Sequence, residues 1–163
     1  MKKLTSLRQH LLGSVPALVR DPDRLLTFVE DGSVEFHRGD TLSHQYAFVA
    51  QLVLTDFADD MDTVMLPLLQ WLSRYQPDVT PAEAVSFEAE ILSNDAYDLA
   101  LRVRLTERVV ALVDCETGMI NADHRMPSFE STGCMPAQWQ LFTRENSRQD
   151  YQQLSEWSDG NDQ

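Results

Sequence analysis

Lysine is almost absent from this chain. Of its 13 basic residues only Lys2 and Lys3 are lysines, and 26 acidic residues set the net charge at −13 over 163 residues. A protein that grips nucleic acid through its phosphates needs a basic face, so the balance argues against a general nucleic-acid binder. It suits a well-solvated surface, or one that meets a basic partner. Cysteine is scarce too. Cys115 and Cys134 are too few for a four-ligand zinc site and lack CxxC spacing. With no export signal, both are expected reduced and structural. Long apolar runs are missing, and nothing approaches the roughly 20 residues that span a bilayer. The basic start MKKLTSLRQHLLG is interrupted by Arg8, Gln9 and His10, so it reads as a first helix and not as a secretory signal. No GxGxxG, GxSxG, GxxxxGK[ST] or HExxH motif occurs, and His10, His37, His44 and His124 are scattered singly. The residues assign no catalytic group, no cofactor and no metal site.

What is present is packing. At 43% hydrophobic, the chain holds enough apolar residues for one domain's core. Its strongest signal lies at 46–78. His44 to Thr55 predicts a long strand, with Tyr46, Phe48, Ala50, Leu52 and Leu54 on one face and Ala47, Val49 and Val53 on the other. A strand apolar on both faces is central or covered on both sides. Asp56-Phe57-Ala58-Asp59-Asp60-Met61-Asp62 follows. Its four carboxylates invite a metal site, but the mid-loop glycine and terminal glutamate of a calcium loop are missing. A helix N-terminus capped by aspartate is the simpler reading. The helix runs from about 62 to 75 on a wide stripe of Val64, Leu68, Trp71, Leu72 and Tyr75, is bent by Pro67, and ends at Gln76-Pro77.

Before this unit, Leu4, Leu7, Leu11, Val15 and Leu18 predict a helix over 6–19, with Ser6 as its cap and a kink at Pro16. Asp21-Pro22-Asp23 predicts the start of a short second helix over 22–30, stopping near Gly32. Residues 34–38 alternate as a strand, and Gly39-Asp40 is a turn. After the unit, Val79 to Glu83 is a turn-rich link. Residues 85–91 and 97–105 alternate as two strands about a turn at Ser93-Asn94-Asp95. Glu88 and Glu90 on one strand, and Arg102 and Arg104 on the next, are expected to form cross-strand ion pairs. Residues 108–113 either extend that strand or start another after Thr106-Glu107, and Asp114 to Gly118 turns into Met119-Ile120. Periodicity fades from Pro127, leaving one short strand near 138–142. Residues 144–163 are polar and acidic and are expected to form a flexible tail, in which Tyr151, Leu154 and Trp157 could seat a short helix on a partner. The fold class is therefore α+β, an antiparallel or mixed sheet packed against helices, in one domain over 1–143.

A series of short words runs through the chain. Leu7-Arg8 opens it, and Pro22-Asp23 leads to Phe28-Val29-Glu30-Asp31-Gly32. Leu42-Ser43 with Tyr46, Thr55-Asp56-Phe57, and Trp71-Leu72 with Gln76-Pro77-Asp78 follow. Asn94 with Asp98 and Leu105-Thr106-Glu107-Arg108 close it. In this order and spacing the chain resembles the tail completion protein R family of contractile-tailed temperate phages, over about residues 5–115. The resemblance implies a structural tail-assembly factor with no catalytic residues to carry over. It implies a fold similar to the tail terminators of long-tailed phages, and a homo-oligomer, expected as a six-fold ring. The implied partners are the tail tube, the sheath and a head-completion or connector protein, with DNA only in passage through the lumen and no membrane. The implied place is the virion tail, reached from the bacterial host cytoplasm during assembly. Asp56, Phe57, Asp59, Asp60, Arg74, Tyr151, Leu154 and Trp157 are the candidate interaction surface. Two other readings stay open: a small acidic inhibitor or immunity-type protein, and a metal-dependent enzyme built on Asp56–Asp62.

Overall fold

The computed structural model describes residues 1–39, 41–91, 95–127 and 136–158. Asp40, Ser93, Asn94 and Cys134, and with them parts of the turns expected at 39–40 and 93–95, lie outside the described residues. Helices α1 (Lys2–Ser14) and α2 (Pro16–Arg20) lead through a 3-10 turn (Pro22–Arg24) into strand β1 (Leu25–Phe36). Then come β2 (His44–Phe57), α3 (Asp62–Tyr75), the one-turn α4 (Pro81–Ala84), β3 (Val85–Ile91), β4 (Tyr97–Asp114) and β5 (Met119–His124). A hairpin of β6 (Gln138–Thr143) and β7 (Gln152–Ser158) ends the described chain.

The fold is α+β, and every strand pairing is antiparallel. Strands β1, β2, β4 and β3 lie in that order, and β5 also pairs with β4. Val109 is matched to both His44 of β2 and His124 of β5, so β5 sits on the edge of β4 opposite β2. It therefore shares that edge with β3, end to end. β2 is central, as its two apolar faces require. Phe48, Ala50, Leu52 and Leu54 are buried with Leu99, Leu101, Val103 and Leu105 of β4. Over them lie Leu7 and Leu11 of α1, Leu18 of α2, and Val64, Leu68, Trp71 and Leu72 of α3, which complete one core. The opposite sheet face, with Val49, Gln51 and Val53 of β2 and Arg102 of β4, is only half-buried. Each buried leucine removes about 2 kcal/mol worth of apolar surface from water, so this one layer contact dominates the packing.

Several expectations are corrected. Leu25 to Glu30 is strand, not helix: it pairs residue for residue with Leu54 to Val49. Its two leucines, Phe28 and Val29 fit either period, and the free edge of β2 selects the strand. Gly32 does not stop a helix; it lies in the register shift between Glu30 and Ser33, beside Asp31 at φ 49°. The first helix ends at Ser14 and not at 19. Val15 precedes a proline and is extended, and Pro16 opens α2 in place of kinking α1. Ser6 lies inside α1, where its Oγ accepts the Trp71 indole N–H at 3.1 Å. The strand from Tyr97 runs unbroken through Thr106-Glu107 to Asp114. The acidic and basic faces of β3 and β4 do not pair as expected. Register sets Glu88 opposite Ala100 and Glu90 opposite Asp98. Arg102 reaches across β2 instead, to Glu30 at 2.7 Å and Asp31 at 3.4 Å. Around Tyr151, Leu154 and Trp157 the chain forms β7, not a short helix. Trp157 is buried and its indole N–H donates to Gln70 Oε1 at 3.1 Å, seating the hairpin outside the helix layer.

Candidate interaction surface

The acidic turn between β2 and α3 is a corner tied by hydrogen bonds and an ion pair. Asp56 has φ 50°, a left-handed conformation that aspartate tolerates better than most residues. Its N–H donates to Asp98 Oδ1 at 2.9 Å, and its carbonyl accepts Arg24 Nη1 at 2.8 Å. Asp60 acts as the cap one position early. Its Oδ1 accepts the Asp62 N–H at 2.9 Å, and its carbonyl oxygen accepts both the N–H and the hydroxyl of Thr63. The cap residue proper, Met61, has no side-chain bond to give. Asp59 is half-buried, forms an ion pair with Arg20 at 3.6 Å, and accepts the Tyr97 hydroxyl on its carbonyl at 3.3 Å. Burial, with the Asp60 and Asp59 charges beside it, raises the Tyr97 phenol above its usual range. Among the described residues no group of three His, Cys, Asp or Glu side chains converges where a metal ion could sit.

The eight surface residues read from the sequence do not form one patch. Asp56 and Asp60 are exposed at the corner, with Asp59 partly so. Phe57 is buried in the core against Tyr97, their rings 5.5 Å apart edge to face, so it presents nothing to a partner. Trp157 of β7 is buried, and Leu154 of the same strand is half-buried. Tyr151 is exposed, with Arg144 4.5 Å over its ring. Arg74 lies over Tyr75 at 5.2 Å near the end of α3.

A polar cluster that the pattern did not reveal fixes the start of α1. Glu107 points from β4 into the helix layer and its side chain is wholly buried. Its oxygens accept the backbone N–H groups of Lys2 at 3.1 Å and Lys3 at 3.0 Å, and His124 Nδ1 at 2.5 Å; the terminal ammonium of Met1 lies 3.8 Å away. A helix N-terminus is a natural seat for a carboxylate. Lys3 is buried as well. It donates from Nζ to Gln76 Oε1 at 3.1 Å, and Gln76 Nε2 donates to Thr106 Oγ1 at 2.6 Å. Desolvation lowers the Lys3 amine, against the opposing pull of Asp78 and Glu107. One cluster thus ties α1, the end of α3, β4 and β5 together. The sequence signal was an acid at an inward-facing position of an alternating strand, where Leu105 and Val109 flank Glu107.

Exposed apolar residues stand on both edges of the β1–β2–β4–β3 order, and also on the β4–β5 hairpin at Leu112, Val113, Met119 and Ile120. Leu26, Phe28, Val29, Val34 and Phe36 stand on β1, and Phe87 and Ile91 on β3. Leu66 and Leu69 are exposed on the outer side of α3. No described helix is long and apolar enough to cross a membrane.

The family model of P2 phage tail completion protein R (GpR) matches residues 1–128, which hold the five-stranded sheet and all the described helices. Tail completion protein R of Escherichia phage P2 is 32% identical over 115 residues, covering 68% of this chain and 74% of that protein. No solved structure matches the chain. The chain belongs to the P2 phage tail completion protein R family.

Proposed function

We propose that this member of the family is a structural assembly protein that completes the tail of a contractile-tailed phage and makes it competent to join a head, acting as a ring. The carrying observation is the family match across 1–128, which spans the whole sheet-and-helix unit. The work such a unit does is geometric. A growing tube adds rings because each end repeats the same surface. A completing ring matches that end on one side and offers a different surface on the other, so growth stops and a connector can dock. A closed ring needs a contact between two different surfaces of the subunit whose rotation closes. The chain has suitable material in two unlike sheet edges and the outer side of α3. Its partners are then further copies of itself, the tube and sheath below, and a head-completion protein above. The exposed acids of the β2–α3 corner, Asp56 and Asp60, are our candidate contact with one of these. DNA would pass through the lumen without being held, in keeping with the net charge of −13.

The test is removal of the gene from its phage or prophage, followed by electron microscopy of the particles. We expect tails of abnormal length or tails without heads, and rescue from a plasmid copy. Tails of normal length joined to heads in the deletion strain would overturn the reading.

A further inference from the structure

We propose that the outer edge of β3 pairs with the outer edge of β1 in a second copy of this chain, so that the antiparallel sheet runs on from subunit to subunit. The inference deepens the ring reading and rests on it. Among the described residues β1 bonds only to β2, and β3 only to β4, leaving the far sides of both strands without backbone partners. Natural sheets blunt such edges with charged side chains, lysine above all, and with proline, bulges or a covering element. Among the described residues β3 has no lysine, proline or bulge, and its charges, Glu88 and Glu90, lie on one face only. Its seven residues, VSFEAEI, pair with β4 without a register shift, and Phe87 and Ile91 are 53% and 81% exposed.

Topology makes the two edges fit each other. Every neighbour in the order β1, β2, β4, β3 is antiparallel, so β1 and β3 run in opposite directions. Setting β3 of one copy beside β1 of the next, with both sheets facing the same way, therefore gives another antiparallel pair with no inversion. The heights agree as well. Val29, Ala50, Val103 and Val85 form one row across the sheet; Thr27, Leu52, Leu101 and Phe87 form the next, and Leu25, Leu54, Leu99 and Ala89 the third. β3 thus lies level with the Leu25–Glu30 half of β1. Joined without offset, Val85, Phe87 and Ala89 stand beside Val29, Thr27 and Leu25 of the next copy, on the face the helices cover. On the other face Ser86 and Glu88 stand beside Phe28 and Leu26, and Glu90 faces the 3-10 turn that carries Arg24. On the helix-covered face the two margins are mostly apolar, and on the other Glu90 comes level with Arg24. The bulge at Asp31-Gly32 bends the rest of β1 out of the joint and limits pairing to one strand length. Because the two surfaces differ, the contact is head-to-tail and closes only as a ring.

Cysteine pairs test this on the full chain, in a C115S, C134S background. Leu26→Cys with Glu88→Cys reads the level register. Leu26→Cys with Ser86→Cys, and Phe28→Cys with Glu88→Cys, read offsets of two residues either way. The protein is oxidised in solution and bound to tail tubes, and oligomers are followed by light scattering and negative stain. We expect one pair to give a ladder of covalent species beyond the dimer, and each single-cysteine variant to give none. A ring with no ladder from any pair overturns the edge joint and leaves the ring reading standing. Covalent dimers from a single-cysteine variant overturn it in favour of like-with-like pairing. A protein that stays monomeric both in solution and on tubes overturns the joint and the ring together.

Discussion

The backbone N–H of Lys3 and Oε2 of Glu107 meet at 3.0 Å although 104 positions separate them in the chain. The bond places the first turn of α1 against the middle of β4 and makes a buried acid the anchor of the helix layer. Glu107→Ala leaves two helix N–H groups and His124 without their acceptor, and should cost about 2 kcal/mol or more. Glu107→Gln keeps one acceptor oxygen and should cost less. Urea unfolding checks this as a lower midpoint with an unchanged slope; a midpoint equal to wild type for the alanine variant would remove the anchor's role.

The same acid predicts how stability depends on pH. Burial alone would raise the Glu107 carboxyl. The Lys3 N–H, His124, the Lys2 N–H and the terminal ammonium outweigh burial and hold its pKa below the ordinary range. A carboxylate with a depressed folded pKa contributes stability above its unfolded value, near 4.3 for glutamate, and loses it as pH falls through the folded value. Below about pH 4.3, then, wild type should lose stability more steeply than Glu107→Gln. Parallel curves for the two proteins would assign acid lability to other groups.

Gly118 isolates a backbone cost. It has φ 73° and nothing within 4 Å of where a Cβ would stand. Its N–H donates to the Asp114 carbonyl at 2.8 Å, in a turn that Asp114 holds through the Thr117 hydroxyl and the N–H groups of Glu116 and Thr117. Gly118→Ala meets no clash and should still lower stability by about 1 kcal/mol, because an L side chain disfavours that conformation. A thermal midpoint equal to wild type would show that the turn adjusts freely.

Trp157 is the pin of the hairpin. Trp157→Ala removes its packing and its bond to Gln70, while the sheet core of β1 to β4 keeps all its contacts. Proteolysis should then cut faster within 144–158, with the sheet's slow amide exchange retained. Loss of protection across the sheet as well would make the hairpin part of the global folding unit.

The period-two alternation of 44–55 and 97–105, and the apolar stripe of 62–75, were enough to place β2, β4 and α3, because those residues bury the same face whatever their partners do; β3 alternates as well, although its residues from Ser86 to Ile91 are exposed. The segment 25–30 was not legible. Two leucines, a phenylalanine and a valine after Asp21-Pro22 satisfy helix and strand equally, and only the unpaired side of β2 decides between them. The same limit applied to the surface: Phe57 and Trp157 read as contact residues until the fold closed over them.

By itself the sequence determined the α+β class, the central strand, the acidic surface and the family words. These depend on local period, composition and order. The tertiary structure alone decided where acid and base meet. Arg102 took Glu30 across a strand in place of its neighbours on β3, and Glu107 took the start of a helix about a hundred residues away, because hydrogen bonds and ion pairs are set by distance in space, which residue spacing along a strand or helix reports only within that element. The stretch at 56–62 shows both sides of this division. Its aspartates announced a helix start, and only the packed corner showed that Asp60 holds it while Phe57 is sealed beneath.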